Sequence, residues 1–363
     1  MTDNTRSPRV LILATSYAPE LRRPERRPAE FPRTDYVELA KIMDCDILDY
    51  SIYDSAPALG QYRLIEKKLR LDFHLALLGF RRARDYDVVV LMSERVAIPY
   101  AMLSKAFGAR SETVFLSMHS SNKQAKLFRQ LRCAREISRT VSFTPSQAEF
   151  LTEAMGIAAG SISYIPYAVD EEFFRCRSAR DGTYVMTAGG VLGRDYDTFI
   201  QALDGLERHV IIVSGGRDYG RKTVGTFREL PSNFRRLSGL SSVEMRSLYE
   251  AARVVVVPLK RDRADGAGTS VLLESMAVPK PTVVSRSPGI AHYIEEGATG
   301  VFVEPENPDD LREKVLSLWS DPAGRELIGR GARCATENTL SLSRYVARLR
   351  GAVTGHQHDA FWT

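Results

Sequence analysis

Asp265-Gly266-Ala267-Gly268-Thr269-Ser270-Val271-Leu272-Leu273-Glu274-Ser275-Met276-Ala277-Val278-Pro279-Lys280-Pro281 is the stretch on which the fold turns. It follows Val254-Val255-Val256-Val257-Pro258, a β-branched apolar run that predicts a buried strand of a parallel sheet. Gly266 and Gly268 allow a sharp turn or the close approach of backbone to a ligand. Thr269 or Ser270 is placed to cap a helix carrying Val271, Leu272, Leu273 and Glu274. The free N–H groups and positive dipole end of such a helix suit a phosphate, and a carboxylate about one turn in could accept hydrogen bonds from sugar hydroxyls. A Gly-rich strand-to-helix turn also occurs for purely structural reasons, so at this point both readings stand.

The residues beyond the helix narrow the choice. Lys280-Pro281-Thr282-Val283-Val284-Ser285-Arg286-Ser287-Pro288-Gly289-Ile290 predicts turn, strand and turn, and is followed by Glu295-Glu296-Gly297-Ala298-Thr299-Gly300-Val301-Phe302-Val303 and Asn307-Pro308-Asp309-Asp310-Leu311. In this order the run resembles the donor-binding half of family-4 glycosyltransferases of the GT-B fold. The resemblance is specific over residues 253–319 and fainter over most of the chain.

Length and composition agree with what that implies. A chain of 363 residues predicts two domains, and 44% hydrophobic with 26% charged residues predicts a globular protein. No apolar run approaches the ~18 residues that span a bilayer, and Met1–Pro8 lacks the apolar region of a signal peptide. Cys45, Cys133, Cys176 and Cys334 are scattered, which points to neither a zinc site nor a disulfide framework. These features predict a cytoplasmic protein. A net charge of +5 is compatible with an anionic ligand without pointing to nucleic acid.

The first half alternates strands and helices. Arg9–Thr15, Asp46–Tyr50, Asp87–Met92 and Thr113–Met118 read as strands, and Asp35-x-x-Glu38 as a capping box for a helix over Tyr36–Met43. In Val141-Ser142-Phe143-Thr144-Pro145, Thr144 reads as an N-cap with Pro145 at the first helical position. Tyr62–Arg84 reads as a basic amphipathic helical segment, fit either to rest peripherally on an anionic membrane face or to be a domain helix with a solvated basic side. Asp44/Asp46, Asp85/Asp87 and Asp195/Asp197 have a metal-compatible spacing, but as strand flanks and a first helical turn they read as structural. In the second half, Ser241-x-x-Glu244 is a second capping box, and helices are predicted over Pro308–Trp319, Ala323–Glu337 and Ser341–Val353.

The resemblance implies an α/β protein of GT-B type, with two facing Rossmann-like domains and a C-terminal helix crossing back. The expected boundaries are 1–175 for the acceptor-side domain, 176–340 for the nucleotide-sugar-binding domain, and 341–363 for the returning helix and tail. The implied activity moves a sugar from a nucleotide-diphosphate sugar, UDP- or GDP-linked, with retained configuration and without metal. That donor is a co-substrate, so no cofactor is expected. The acceptor is a carbohydrate, lipid-linked or small molecule.

By the same resemblance His119 lies near the reacting sugar, and Arg194 and Lys260 stabilise the leaving diphosphate. Gly189 and Gly190 form the first phosphate turn, and Gly239 and Leu240 hold the base. Gly266, Ala267, Gly268, Thr269 and Ser270 offer backbone amides, and Glu274 holds the ribose. Two positions depart from the family pattern: Gly190 stands where an Arg is usual, and Gly266 where a first Glu is usual, with Asp265 beside it as a substitute. Two alternatives therefore stay open: a nucleotide-sugar epimerase of the same fold, and a non-catalytic GT-B partner with a degenerate donor site.

Overall fold

The structure, a computed structural model, describes residues 7–18, 30–54, 60–117, 122–177, 182–190, 193–207, 209–213, 229–261 and 266–355. The chain divides into two compact units, one of residues 1–28, 33–166 and 343–363, the other of residues 29–32 and 167–342.

The first unit runs β1 (Val10–Leu13), α1 (Asp35–Ile42), β2 (Cys45–Leu48), α2 (Gly60–Leu69), α3 (Phe73–Arg82), β3 (Val88–Leu91), α4 (Glu94–Phe107), β4 (Glu112–Leu116), α5 (Asn122–Gln130), β5 (Arg139–Ser142), α6 (Pro145–Met155) and β6 (Ile162–Tyr164). Its six strands are all parallel, in the order β2-β1-β3-β4-β5-β6. The central strands Val10–Leu13 and Val88–Leu91 are buried throughout, as helix-covered parallel strands must be.

Two local expectations need correction here. The Asp35/Glu38 capping box does not form: Asp35 is already the first helical residue, and Thr34 occupies the N-cap without a side-chain capping bond. Both acids remain in the first turn, where the helix dipole favours them. The 62–84 segment is two helices, because Arg70 turns left-handed (φ 55°) and ends α2, and a 3₁₀ turn over Ala83–Asp85 follows α3. The Thr144 cap does form: its side chain accepts from the Gln147 amide, with Pro145 opening α6. The acidic pairs of this unit serve the framework. Asp46 accepts from the Tyr86 hydroxyl and Asp87 from the Arg9 amide.

The second unit runs β7 (Tyr184–Ala188), α7 (Tyr196–Leu203), β8 (His209–Val213), β9 (Phe234–Leu237), α8 (Ser242–Ala251), β10 (Ala252–Val257), α9 (Thr269–Ala277), β11 (Thr282–Ser285), β12 (Val301–Val303), α10 (Pro308–Ser320) and α11 (Pro322–Asn338). A last helix, α12 (Leu342–Thr354), belongs from Ser343 onward to the first unit. The second sheet is also parallel, in the order β12-β11-β10-β7-β8-β9.

The valine run explains why β10 sits in the middle. Successive strand side chains point to opposite faces. Val255 and Val257 join one core with Tyr249, Leu272, Leu273 and Met276, while Val254 and Val256 join the other with Phe199, Leu311 and Val315. A strand covered on both faces cannot alternate apolar with polar residues, so it reads as an unbroken apolar run. The Ser241/Glu244 capping box is fully formed at the start of α8.

This strand order reverses direction between β7 and β10. The chain leaves β7 to build outward through β8 and β9, then returns to place β10 on the other side of β7. In open parallel sheets the crevice beyond the carboxyl ends of the strands at such a reversal is where ligands bind.

Candidate functional site

Two loops leave the sheet at the reversal, one after β7 and one after β10, and they are tied together. Arg194 and Leu259 form an antiparallel bridge, and the Asp195 amide donates to the Pro258 carbonyl at 3.0 Å. The Leu259 amide in turn donates to the Ser285 hydroxyl at 3.0 Å, anchoring the second loop to β11. Asp195 caps α7 by accepting from the Thr198 amide.

This tie fixes Arg194. The residue is only 7% exposed, so it is no surface arginine paired with the exposed Asp197. Its Nε donates to the Ala188 carbonyl at 2.9 Å, and the Tyr196 hydroxyl donates to the Gly189 carbonyl at 2.7 Å. The guanidinium lies against two glycines. A Cβ on Gly189 (φ 125°) would stand 2.6 Å from Nη2, and one on Gly268 (φ 95°) 3.2 Å from Nη1. Both positions require glycine for their backbone angle and for the room the arginine occupies.

Gly268 is also the N-cap of α9, with no side-chain capping bond, and this corrects the expectation for Thr269 and Ser270. Thr269 is the first helical residue, and its Oγ1 donates backward to the Gly266 carbonyl at 2.8 Å. Ser270 is exposed. The left-handed turn at Gly268 takes the place a capping hydroxyl would fill, so no described side chain competes with a ligand for the amides of this first turn. Ala267 packs against the core beside α9.

Glu274 lies in the second turn of α9, where a helical Cβ leans back toward the N-terminus. Its Oε2 accepts from the Tyr249 hydroxyl at 2.8 Å. Desolvation pushes the Glu274 carboxyl up to about 7, opposed by the Tyr249 bond and by the positive charge of Arg194. Burial and the neighbouring Glu274 charge hold the Tyr249 phenol well above its ordinary range, so it remains a proton donor. Tyr249 was missing from the sequence reading. Its one signal is that a buried tyrosine hydroxyl needs a partner, which does not say which partner.

The structure therefore brings together Gly189, Arg194, Gly266, Ala267, Gly268, Thr269 and Glu274, and adds Tyr249. The other predicted residues are looser. Gly190 is exposed, with open space where a side chain would stand. Lys260 is exposed, one residue beyond the Leu259 bridge. Gly239 (φ 72°) and Leu240 follow β9, two strands from β7 and so about 10 Å away across the sheet. His119 and Asp265 lie outside the described residues. Among the described residues no three His, Cys, Asp or Glu side chains gather to hold a metal ion, and no helix is long and apolar enough to cross a membrane. The four cysteines are free thiols.

Residues 172–334 match the family model described as glycosyl transferases group 1, which includes every described site residue above. A D-inositol 3-phosphate glycosyltransferase of Nocardiopsis dassonvillei is 28% identical over 256 residues, covering 62% of this chain and 58% of that protein. A second protein of that name, from Catenulispora acidiphila, is 24% identical over 76% of this chain and 74% of its own length. Against the first curated relatives the chain spans 58%, 38% and 52% of their lengths, about half on average.

Among solved structures, Anabaena HepE in complex with UDP and glucose superposes with a TM-score of 0.71 at 15% identity, over 96% of this chain and all of that one. The lipopolysaccharide outer core galactosyltransferase WaaB gives 0.64 at 14% identity, over 96% and 100%. At these identities the likeness establishes the fold, which is the two-domain GT-B fold. The match to the group 1 family model lies within the second unit.

Proposed function

We propose that the chain transfers a sugar from a nucleotide-diphosphate sugar to an acceptor, with retained configuration and without a metal ion. The observation that carries this reading is the placement of Arg194. A buried guanidinium is held at the sheet reversal, between Gly189 and the N-terminus of a helix that no side chain caps. Two anion-binding devices, a planar guanidinium and a helix N-terminus, meet at one point, and a diphosphate has the charge and length to engage both. As the leaving diphosphate gains negative charge in the transition state, both stabilise it without reorganising. Glu274, when ionised, accepts from the ribose hydroxyls, and Tyr249 holds its orientation. On this reading Lys260 adds an exposed positive charge, Gly239 and Leu240 receive the base, and Asp265 serves the sugar end. The acceptor proton leaves through the departing phosphate oxygens, so no protein nucleophile is required.

The relatives support the donor class. HepE was solved with UDP and with UDP-glucose. A thermal-shift screen of UDP- and GDP-sugars with EDTA present tests the reading, because a ligand of the folded state raises stability by mass action. A UDP- or GDP-sugar that raises Tm, and whose sugar is transferred in EDTA, is the expected result. Transfer abolished by EDTA and restored by manganese overturns the metal-free part. The open space at Gly190 and the absence of an acid at Gly266 favour one rival, a non-catalytic partner. Donor binding with no transfer to any acceptor and no hydrolysis supports that rival.

A further inference from the structure

Helix α2 is inside out. A surface helix of a globular protein normally buries its apolar stripe and shows its charges to water. Among the described side chains of α2 the buried one is Glu66, at 4% exposure. Its carboxylate accepts from the Tyr53 hydroxyl and the His74 amide, each at 2.7 Å. Arg63 faces the same way, its guanidinium 4.2 Å from the centroid of the Tyr50 ring and 4.3 Å from that of Tyr53. The helix is thus docked through a hydrogen-bonded carboxylate and a guanidinium over two aromatic rings rather than through leucines.

The leucines point outward. Tyr62, Leu64, Ile65, Leu69 and, just past the Arg70 turn, Phe73 are 40–68% exposed, and they make up five of the ten exposed large hydrophobic residues in the described chain. At 100° per residue, Leu64, Ile65, Leu69 and Tyr62 span an arc of about 160°. Lys68 falls inside this arc and Lys67 about 60° beyond its Leu64 edge, both exposed. Glu66 is the one acid between Gly60 and Leu69, and it is buried, about 40° beyond the Tyr62 edge. The surface offered is therefore apolar and purely basic.

We infer that this face of α2 seats the protein on an anionic lipid surface, with Leu64, Ile65, Leu69 and Tyr62 entering the acyl boundary and Lys67 and Lys68 at the headgroups. A helix lying in the interface gains from both terms at once, buried apolar area and attraction to anionic lipid. A second copy of this chain fits less well. A two-fold contact through the patch sets Lys68 against its own symmetry mate, with no exposed acid on the helix to offset it. The attachment does not depend on the donor chemistry of the second unit.

Co-sedimentation of the full chain with phosphatidylglycerol-containing vesicles, against pure phosphatidylcholine vesicles, tests it. The protein pellets with the first and stays in solution with the second. Lys67→Gln with Lys68→Gln weakens binding by roughly 30-fold at low salt, about fivefold for each charge. Ile65→Asp with Leu69→Asp abolishes it while Tm is unchanged, since neither side chain is in the core. Wild-type protein that ignores anionic vesicles overturns the proposal, as does equal binding by the variants. A dimer in solution that Ile65→Asp dissociates overturns it too, and assigns the face to a second copy.

Discussion

Glu274 is held between two demands. Its burial disfavours charge, pushing the carboxyl up to about 7, whereas accepting ribose hydroxyls requires the charged form. The folded state therefore binds a proton that the unfolded chain releases at the ordinary glutamate value of about 4.3. Across the window from there to about 7 the folded state holds more protons, so stability from this residue is full below the window and falls as pH rises through it. Glu274→Gln removes the ionisation while keeping an acceptor for Tyr249. Its Tm should match that of wild type near pH 4, below the window, and exceed it at pH 8 by a few degrees. A difference independent of pH would disprove the assignment. Donor affinity should move the opposite way, rising with pH through about 7 as the carboxylate forms. Tyr249→Phe removes a bond that favours ionisation, so this binding profile should shift to higher pH while its upper plateau stays close to that of wild type. A lowered plateau with an unshifted profile would make Tyr249 a packing residue only.

At the scale of elements, the turn into α9 is where local pattern reading failed in an instructive way. Glycines followed by Thr269 and Ser270 look like a turn and then a hydroxyl cap, yet the backbone takes the cap position at Gly268 and Thr269 bonds backward to Gly266. The reason is three-dimensional. Gly268 sits beneath Val257 and Ile290 and beside Arg194, so its φ and its missing side chain are set by residues 11 positions before, 22 after and 74 before it. Gly268→Ala would put a methyl 2.8 Å from Val257 and 3.1 Å from Ile290 at φ 95°. A cost of about 1–3 kcal/mol for the backbone alone is expected, or a Tm loss of several degrees, with donor binding weakened as α9 shifts. Gly266→Ala has only the Thr269 hydroxyl nearby, at 3.3 Å, and should change Tm little. Equal losses in the two variants would contradict the geometry. The Thr144 and Ser241 caps, by contrast, were legible because each is closed by residues within three positions.

Across the whole molecule, what could be read early was whatever the chain repeats locally. The valine run of β10, the run at Val88–Leu91 and the alternation of strand and helix imply parallel sheets, and two six-stranded parallel sheets are found. The reversal between β7 and β10 is not local, nor is the bridge from Arg194 to Leu259 or the bond from Tyr249 to Glu274 across 25 positions. These long-range links make a candidate site of the Gly-rich motif, and the bridge between the two loops fixes one guanidinium in it. The most direct measurement is calorimetric titration of UDP and GDP into wild type, Arg194→Lys and Arg194→Ala, with Tm recorded for each. Charge-assisted hydrogen bonds contribute about 1.5–3 kcal/mol. Arg194→Ala should therefore bind the preferred nucleoside diphosphate roughly 10- to 150-fold more weakly, and Arg194→Lys, which keeps the charge but loses the planar fork, should fall between. Folded variants that bind the diphosphate as tightly as wild type would show that Arg194 only braces the two loops, and that the diphosphate is held elsewhere.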